Sequence, residues 1–346
     1  MINFFSQFSG NLGIPIHARN FGKALQKISD TRLIQMSEVG SSEFDDEIEP
    51  NYPGLVFFYP QYFESYQFLD KNYGYFIFEY TKIPKKYVDQ MNQMDAIFTA
   101  SKWGVKVLLE NGVNVPCHVV RGGVNTEMFS PDSVYRGHIK NSTFNFLHIG
   151  KAEERKGNRE LIHAFYQVFG NQPDIELWLS IGNPHVPNFS SEQYVLDILG
   201  TDQIPTNIKI IPYVEDIRML YAQAHCCVFP TRAEGIGLPI VESIACGIPT
   251  IANYNSGTSE YLNSQNAILI YPQEMEPVYD KHFFPRAGEY GEWAKPDVDA
   301  LASEMTWVYD NYSAAKDIGR SGAKWMQENF TWDHSARDFK KLLETL

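Results

Sequence analysis

Short apolar runs alternate with helical patterns twice along this chain, and this alternation limits the folds available to it. In the first half, the predicted strands cover residues 2–5, 31–36, 55–58, 75–78, 96–100 and 118–120. In the second half, they cover residues 144–149, 175–181, 208–211, 226–229, 250–252 and 267–270. Strands that alternate with helices form parallel sheets with helices on both faces. We therefore predict an α/β protein with two Rossmann-like, doubly wound domains.

The clearest helical patterns of the first half cover residues 15–28 and 102–111, with Ser101 as the N-cap of the second. The polar stretch at 130–143 is the predicted interdomain linker. We place the first domain at 1–135 and the second at 142–329, with a terminal helix at about 330–346 returning to the first. Ligands of such sheets bind beyond the carboxyl ends of the strands, so we expect the two domains to face each other across a cleft that holds the active site.

Composition narrows the class of partner. The 346 residues suffice for two domains, and the net charge of −13 argues against nucleic acid, which needs a basic surface. No apolar run approaches the ~20 residues that span a bilayer, and the first sixteen residues contain no Lys or Arg. We expect a cytoplasmic protein with at most peripheral membrane association.

No metal site or cofactor is predicted. The four cysteines, at positions 117, 226, 227 and 246, show no C-x-x-C spacing and no histidine pair nearby, so we expect buried, reduced thiols. Asp297 and Asp299 form a D-x-D pattern of the kind that binds metal in some transferases. They follow Pro296 and open a helical pattern, so we interpret them as capping and dipole residues.

The segment at 230–249, PTRAEGIGLPIVESIACGIP, follows a predicted buried strand and carries two carboxylates around a glycine-rich turn. Gly235 and Gly237 allow a tight turn, and Pro239 suits the first position of a helix. The free amides of a helix start attract phosphate. This layout suits a nucleotide diphosphate sugar.

Glu242 is expected in the first turn of that helix, where a carboxylate accepts hydrogen bonds from the hydroxyls of a ribose. Glu234 precedes the turn and is expected to face the other end of the ligand. The alternative is that Glu234 is a solvated loop acid and that Glu242 only complements the helix dipole.

A cationic turn, Lys151 to Gly157 (KAEERKG), follows the first strand of the second domain, which ends at Gly150. Lysine and arginine placed there stabilise the charge of a leaving diphosphate without a metal ion. The alternative is a solvated turn in which Glu153 and Glu154 pair with Arg155 and Lys156.

A glycine loop, Ser9 to Gly13 (SGNLG), lies between the first strand and the first helix. Gly10, Asn11 and Gly13 are candidates for contact with the ligand, although such a loop also serves as a plain strand-to-helix connection. His17 follows on the helix. A histidine there is more often a surface or packing residue, and we give it no catalytic role.

The segment Glu234 to Glu242 (EGIGLPIVE) resembles the E-x7-E signature of the retaining family-four glycosyltransferases, which have the GT-B fold. Other matches lie at 75–84, 99–103, 122–131 and 330–332, so the resemblance covers most of the chain. It departs from the family at Ile236, where an aromatic residue is more common. Residues 55–61 also lack the histidine that many members carry on a middle strand.

The resemblance implies that Glu242 binds the ribose and Glu234 contacts the donor sugar. It implies catalytic roles for Lys156 and Arg155, with Lys151 and Arg155 both open as the counterpart of the family's arginine. Gly150, Gly235, Ile236, Gly237 and Leu238 are further candidates for donor contact. The first domain would bind a glycan, lipid or small-molecule acceptor, and the second the nucleotide-sugar donor.

The expected function is therefore metal-independent transfer of a sugar with retention, in cell-surface polysaccharide or glycoconjugate synthesis. The alternative is a silent homologue that binds a nucleotide sugar and partners an active transferase. Intact Glu234, Glu242 and Lys156 favour the enzyme.

Overall fold

The computed structural model describes residues 1–36, 46–134, 143–170 and 172–346. The chain divides into two compact units, Met1–Asn125 with Asn329–Leu346, and Thr126–Glu328. Part of the predicted linker, residues 135–142, and with it the predicted domain limits at 135 and 142, lies outside the described residues. Residues 126–134 belong to the second unit, where Phe129 packs edge-on against Tyr221.

The first unit is built on a six-stranded parallel sheet in the order β2-β1-β3-β4-β5-β6. Its strands are β1 (Ile2–Ser6), β2 (Thr31–Gln35), β3 (Gly54–Phe57), β4 (Asn72–Tyr75), β5 (Ala96–Thr99) and β6 (Cys117–Val119). Its first helices are α1 (Gly13–Gln26), α2 (Lys85–Met91) and α3 (Lys102–Glu110), with a 3₁₀ helix at Pro60–Tyr66. Ser101 caps α3 as predicted, since its side chain accepts a hydrogen bond from the Gly104 amide.

The fourth strand was predicted too late in the sequence. The apolar residues at 75–78 suggested a strand, but β4 ends at Tyr75. Phe76 and Phe78 stack on each other instead, with ring centroids 5.1 Å apart. Strand β4 includes Gly74, where a Cβ would lie 2.3 Å from the ring of Phe63. The strand therefore contains glycine at a position where the aromatic ring leaves no room for a side chain, although its sequence is typical of a loop.

The second unit contains a second six-stranded parallel sheet, in the order β12-β11-β10-β7-β8-β9. Its strands are β7 (Phe144–Lys151), β8 (Ile175–Gly182), β9 (Ile208–Ile210), β10 (Cys226–Phe229), β11 (Thr250–Asn253) and β12 (Ile268–Ile270). The antiparallel hairpin of β13 (Glu274–Pro277) and β14 (Glu292–Lys295) lies outside this sheet. Its helices are α4 (Asn158–Phe169), α5 (Ser191–Leu199), α6 (Arg218–Tyr221), α7 (Leu238–Ala245), α8 (Val298–Asp310) and α9 (Tyr312–Asn329), with 3₁₀ turns at Glu154–Lys156 and Ser256–Glu260.

The order of the second sheet fixes where a ligand can bind. Strands β8 and β9 lie on one side of β7, and β10, β11 and β12 lie on the other. The connections therefore diverge between β7 and β10. In doubly wound sheets the crevice beyond the carboxyl ends of the strands at such a point is the usual ligand site.

The chain ends in α10 (Trp332–Leu343), which belongs to the first unit. Trp332 lies 4.7 Å from the ring of His17, which is only 2% exposed and also contacts Phe57 and Tyr75. Burial lowers the pKa of His17 to about 3, so the ring is neutral. His17 is thus a packing residue between α1 and the terminal helix, as predicted.

We expect Gly123→Ala to destabilise the first unit. A Cβ at Gly123 would lie 2.4 Å from the backbone nitrogen of Trp332, which cannot move without shifting α10. Overpacking of this kind costs about 1–3 kcal/mol, or several degrees in melting temperature. Thermal melting followed by tryptophan fluorescence measures it. Gly13→Ala is the control, since no atom lies within 4 Å of a Cβ there. Equal melting temperatures for the two variants would contradict the packing described.

Candidate functional site

Two loops meet at the point where the connections of the second sheet diverge. One follows β7 and contains the cationic turn, and the other follows β10 and contains the glycine-rich turn. The Arg232 amide donates to the Arg155 carbonyl at 2.8 Å. Gly157 has φ +70°, and a Cβ there would lie 2.1 Å from the carbonyl oxygen of Pro230. The close approach of the two loops therefore requires glycine at position 157.

The glycine-rich turn is held in place by the loop that follows β11. The Glu234 amide donates to the Ser256 hydroxyl at 2.9 Å, and the Gly257 amide donates to the Glu234 carbonyl at 2.8 Å. The Tyr261 hydroxyl donates to the carbonyl of Ile236, which is buried. A side chain at Gly257 has no room, because its Cβ would lie 2.1 Å from the Gly235 oxygen. This bracing loop had no counterpart in the sequence analysis.

Gly237 caps α7 with φ +79°, and the helix begins at Leu238. Pro239 is therefore the second helical residue rather than the first. Glu242 is the fifth and lies just beyond the first turn, so its predicted position was wrong by one residue. Either position suits proline, because the first amides of a helix have no partner within it.

Glu234 lies at the centre of the site. Its carboxylate is 2.6 Å from the Lys156 ammonium and 3.0 Å from the Arg155 guanidinium, and the residue is only 4% exposed. Burial alone would raise the pKa of Glu234, but the two cations outweigh burial and hold the pKa below its ordinary value. Glu234 is thus an ionised, paired carboxylate, and its interpretation as a solvated loop acid is wrong.

The cationic turn adds further ion pairs. Arg155 also donates to the Ala233 carbonyl at 2.9 Å and to Glu153 at 3.2 Å, while Lys151 lies 2.5 Å from Glu153. The predicted alternative of a self-paired, solvated turn is therefore wrong for Lys156, which binds Glu234, and correct only for the contact of Arg155 with Glu153. The five side chains linked by these ion pairs carry one more positive charge than negative. Such a cluster attracts an anion.

The structure distinguishes the two candidates for the family's arginine by their contacts. Arg155 shares Glu234 with Lys156, and its side chain is 11% exposed. Lys151 is 34% exposed and pairs with Glu153. Gly150 lies beside the buried histidine of β7 and beside Lys156, since a Cβ there would be 3.0 Å from His148 Nε2 and 3.6 Å from the Lys156 side chain.

Glu242 is 9% exposed and has a different environment. The Tyr221 hydroxyl donates to its carboxyl group at 3.0 Å. Burial raises the pKa of Glu242 to about 8, with the Tyr221 hydrogen bond opposing the shift. Glu242 is therefore largely protonated at neutral pH, a state that the sequence did not predict. As a neutral acid it can both donate and accept hydrogen bonds.

Residues 107–339 match the family described as "Family 4 Glycosyltransferase in conflict systems", which is more than half of the chain. The chain belongs to this family. It is also 24% identical over 194 residues to the capsular polysaccharide biosynthesis glycosyltransferase CapM of Staphylococcus aureus, a match that covers 56% of this chain and 44% of CapM. It is 25% identical to the MMP α-(1→4)-mannosyltransferase of Mycolicibacterium hassiacum, over 63% of this chain and 46% of that enzyme. The chain thus spans about half the length of the curated relatives it matches.

Two solved structures resemble the whole chain. Sucrose-phosphate synthase from Thermosynechococcus elongatus has a TM-score of 0.73 at 16% identity, covering 99% of this chain and 98% of that one. Anabaena HepE in complex with UDP and glucose has a TM-score of 0.72 at 16% identity, covering 100% and 99%. These likenesses confirm the predicted GT-B fold. In the part of this family-four glycosyltransferase that the structure describes, no helix is long and apolar enough to cross a membrane.

The remaining candidates of this family-four glycosyltransferase lie in the first unit. Gly10, Asn11 and Gly13 form an exposed loop after β1, and Gly10 has φ +108°. The Arg19 guanidinium donates to the Gly10 carbonyl at 2.6 Å and fixes the loop against α1. Contact of these residues with a donor stays a prediction.

The metal and cysteine interpretations can be compared with side-chain positions. Asp297 accepts a hydrogen bond from the Ala300 amide and caps α8, as predicted. Asp299 accepts one from Gln167 at 3.2 Å. Within the ranges that the structure describes, no group of three or more His, Cys, Asp or Glu side chains is arranged to hold a metal ion. The four cysteines are free, and all except the half-buried Cys117 are buried.

Two residues of the site were missed. His148 is fully buried in β7 and lies near Lys156, with Nδ1 2.7 Å from the Val228 carbonyl. Burial lowers the pKa of His148 to about 4. Arg232 is 6% exposed and carries several ion pairs described below. A polar residue within an apolar strand and an arginine within an apolar loop were the available signals.

We expect Glu242→Gln to change how stability depends on pH. A carboxyl group whose folded pKa lies above its unfolded value stabilises the fold fully below the unfolded pKa of about 4.3. This contribution is lost as the pH rises toward the folded pKa of about 8. From about pH 5 to about pH 8, the parent should therefore lose at least about 1.4 kcal/mol relative to the glutamine variant.

Urea unfolding of both proteins across this range provides the measurement. The three histidines with lowered pKa values, His17, His148 and His334, act in the opposite direction, because they stabilise the fold more as the pH rises toward about 6.5. They are present in both proteins and cancel in the difference. A pH-independent difference would show that Glu242 is ionised in the folded protein.

Proposed function

We propose that this protein is a retaining glycosyltransferase that moves a sugar from a nucleotide diphosphate sugar to a glycan, lipid or small-molecule acceptor. The observation that carries the proposal is the buried group of Glu234, Lys156 and Arg155 at the divergence point of the second sheet. We assign the donor to the second unit and the acceptor to the first.

The diphosphate binds to Lys156 and Arg155 and competes with Glu234 for them. Its two negative groups interact with cations that are already desolvated, so the interaction is stronger than at an exposed surface. Binding releases the Glu234 carboxylate from part of its ion pairing, and the carboxylate then faces the sugar. The N-terminal end of the α7 dipole adds partial positive charge to the site.

The ribose binds at Glu242. Tyr221 is fully buried and orients the carboxyl group through its hydrogen bond. Neutral Glu242 accepts a hydrogen bond from one ribose hydroxyl and donates its proton to another. This role does not require Glu242 to be ionised.

In the reaction, the bond between the anomeric carbon and the diphosphate oxygen breaks and a bond to an acceptor hydroxyl oxygen forms. The bonding electrons leave with the diphosphate, whose added charge Lys156 and Arg155 stabilise. Glu234 stabilises the positive charge that develops on the sugar. The acceptor hydroxyl gives up its proton to the leaving diphosphate.

Two relatives and the cysteines suggest the biosynthetic role and the cellular location. CapM is named as a capsular polysaccharide enzyme, and the HepE structure contains UDP and glucose. We infer a role in cell-surface polysaccharide or glycoconjugate synthesis. Four free cysteines suit the reducing cytoplasm, which we propose as the site of action, with at most peripheral attachment to a membrane. The net charge of −13 disfavours nucleic acid as a partner.

Glu234→Gln should reduce turnover at least about tenfold, or ~1.4 kcal/mol of barrier, because it removes the charge that stabilises the sugar cation. Donor consumption and product mass, followed with and without an acceptor mixture, measure it. Glu328→Gln on α9 is the control, since that side chain is 57% exposed. Anomeric proton couplings of the product report the stereochemistry. Donor binding without transfer by the parent would identify a silent homologue, and an inverted linkage would refute the retaining assignment.

Transfer should also continue in EDTA. The proposed stabilisation of the leaving diphosphate comes from Lys156, Arg155 and backbone amides. Initial rates in EDTA should therefore equal those in untreated enzyme. Abolished activity that Mg²⁺ or Mn²⁺ restores would assign that stabilisation to a metal ion.

A further inference from the structure

Charged residues of the β13–β14 hairpin and its connecting segment hold the turn that carries Lys156 and Arg155. The hairpin and its connecting segment, residues 274–295, lie between β12 and α8 in sequence and outside the six-stranded sheet. Val278 and Trp293 are buried, so the segment is packed onto the second unit rather than extended into solvent. The family resemblance and the proposed function assign no role to it.

Arg232 connects the hairpin to the site. Its guanidinium binds Glu160 of α4 through two nitrogens, at 2.6 and 3.1 Å, and Nε donates to Glu276 of β13. Nη1 also donates to the Glu154 carbonyl at 2.6 Å. The backbone of Arg232 donates to the Arg155 carbonyl and accepts a hydrogen bond from the Ala294 amide of β14.

A second contact from the hairpin holds the same peptide segment. The Asp280 carboxylate accepts a hydrogen bond from the Glu154 amide at 3.0 Å. Its other oxygen accepts from the amides of His282 and Phe283, at 2.8 and 3.1 Å. The amide and the carbonyl of Glu154 are thus both held by groups that depend on the hairpin. Glu154 is the first residue of the 3₁₀ turn that ends at Lys156.

We propose that Arg232, Glu276 and Asp280 are positioning residues for the diphosphate subsite, with the hairpin as a built part of the donor site. The inference rests on the proposed function. Arg232 holds the 3₁₀ turn at the orientation in which the Arg155 and Lys156 side chains converge. Glu276 accepts from Nε of Arg232 and so orients its guanidinium, and Asp280 holds the turn by accepting from the Glu154 amide.

The arrangement is costly unless it holds something in place. Arg232 is buried and pairs with two carboxylates, those of Glu160 and Glu276. A single carboxylate would be enough to balance its charge. A buried charge must be paired and hydrogen-bonded on all sides to be tolerated, and replacement by apolar residues is often as stable. The planar fork of arginine, unlike lysine, holds several acceptors at fixed angles. The second carboxylate, Glu276, thus acts on geometry rather than on charge balance.

The test compares two glutamates of one strand by calorimetry with UDP and GDP. Glu276→Gln replaces the carboxylate with a neutral amide, whose oxygen accepts a weaker hydrogen bond from Arg232 Nε than a carboxylate oxygen does. Glu274→Gln is the matched control, because Glu274 pairs with Lys295 at 2.7 Å and is 69% exposed. For Glu276→Gln we expect about tenfold weaker binding of the nucleoside diphosphate that the parent binds, the lower end of the effect seen when residues that orient metal ligands are changed. Binding of the corresponding monophosphate should weaken less, since the diphosphate makes more contacts with the cations.

Donor kinetics provide a readout that a merely structural role would not move. Glu276→Gln should raise KM for the donor more than it lowers kcat. If this variant melts well below the parent, Asp280→Asn provides the test instead. Asparagine has the same side-chain volume as aspartate but only one side-chain oxygen, so it cannot accept all the hydrogen bonds that the two Asp280 oxygens accept. Unchanged diphosphate affinity in the folded variant, or equal losses in Glu276→Gln and Glu274→Gln, would overturn the inference. A parent that binds neither UDP nor GDP, nor any of the other common nucleoside diphosphates (ADP, CDP and dTDP), would instead refute the proposed function, and this measurement comes before any variant is made.

Discussion

The ion pairs of Glu234 with Lys156 and Arg155 are the interaction on which the candidate site depends. Each partner is nearly buried, and moving an ion out of water costs several kcal/mol even after the protein relaxes. The cost is offset only because the two loops place opposite charges at 2.6 and 3.0 Å. Such a group is weak evidence for stability. Under the proposed function it is a preorganised anion site, in which a diphosphate would replace the carboxylate that holds the cations in place.

The local parts of this site could be predicted from sequence, and the reasons are physical. Residues 226–229 are apolar and are followed by proline, so the strand was found, and Pro239 indicated the helix start to within one residue. Chain order alone placed both loops at the carboxyl ends of β7 and β10. The prediction failed where tertiary contact outweighs local pattern. Asn72–Tyr75 pairs as a strand between β3 and β5, with the Phe63 ring against Gly74, and no short-range signal indicates these contacts.

Protonation and long-range pairing were beyond the sequence for a related reason. Glu234 and Glu242 are the same residue type within one short motif, yet one has a lowered pKa and the other a pKa raised to about 8. Lys156 and Arg155 outweigh the effect of burial on the pKa of Glu234, whereas burial dominates for Glu242, to which the Tyr221 hydroxyl donates. Arg232 and Glu276 are 44 positions apart, and nothing in either local sequence indicates their contact. Burial and partners are properties of the fold, and they determine charge state.

Backbone packing, rather than side-chain charge, determines how closely the turns of the site approach each other. Gly157 allows its turn to lie against Pro230, and Gly257 allows the bracing loop to lie against Gly235, each at a distance no Cβ tolerates. Ion pairs as short as those of Glu234 require the backbones to be this close, since lysine and arginine side chains are otherwise free to turn to solvent. The glycines and the charged residues therefore act together. The glycines allow the turns to approach closely, and the charged side chains form their ion pairs in the desolvated region between the turns. Arg232 connects this arrangement to the hairpin through its ion pair with Glu276 and through the hydrogen bond that its carbonyl accepts from the Ala294 amide.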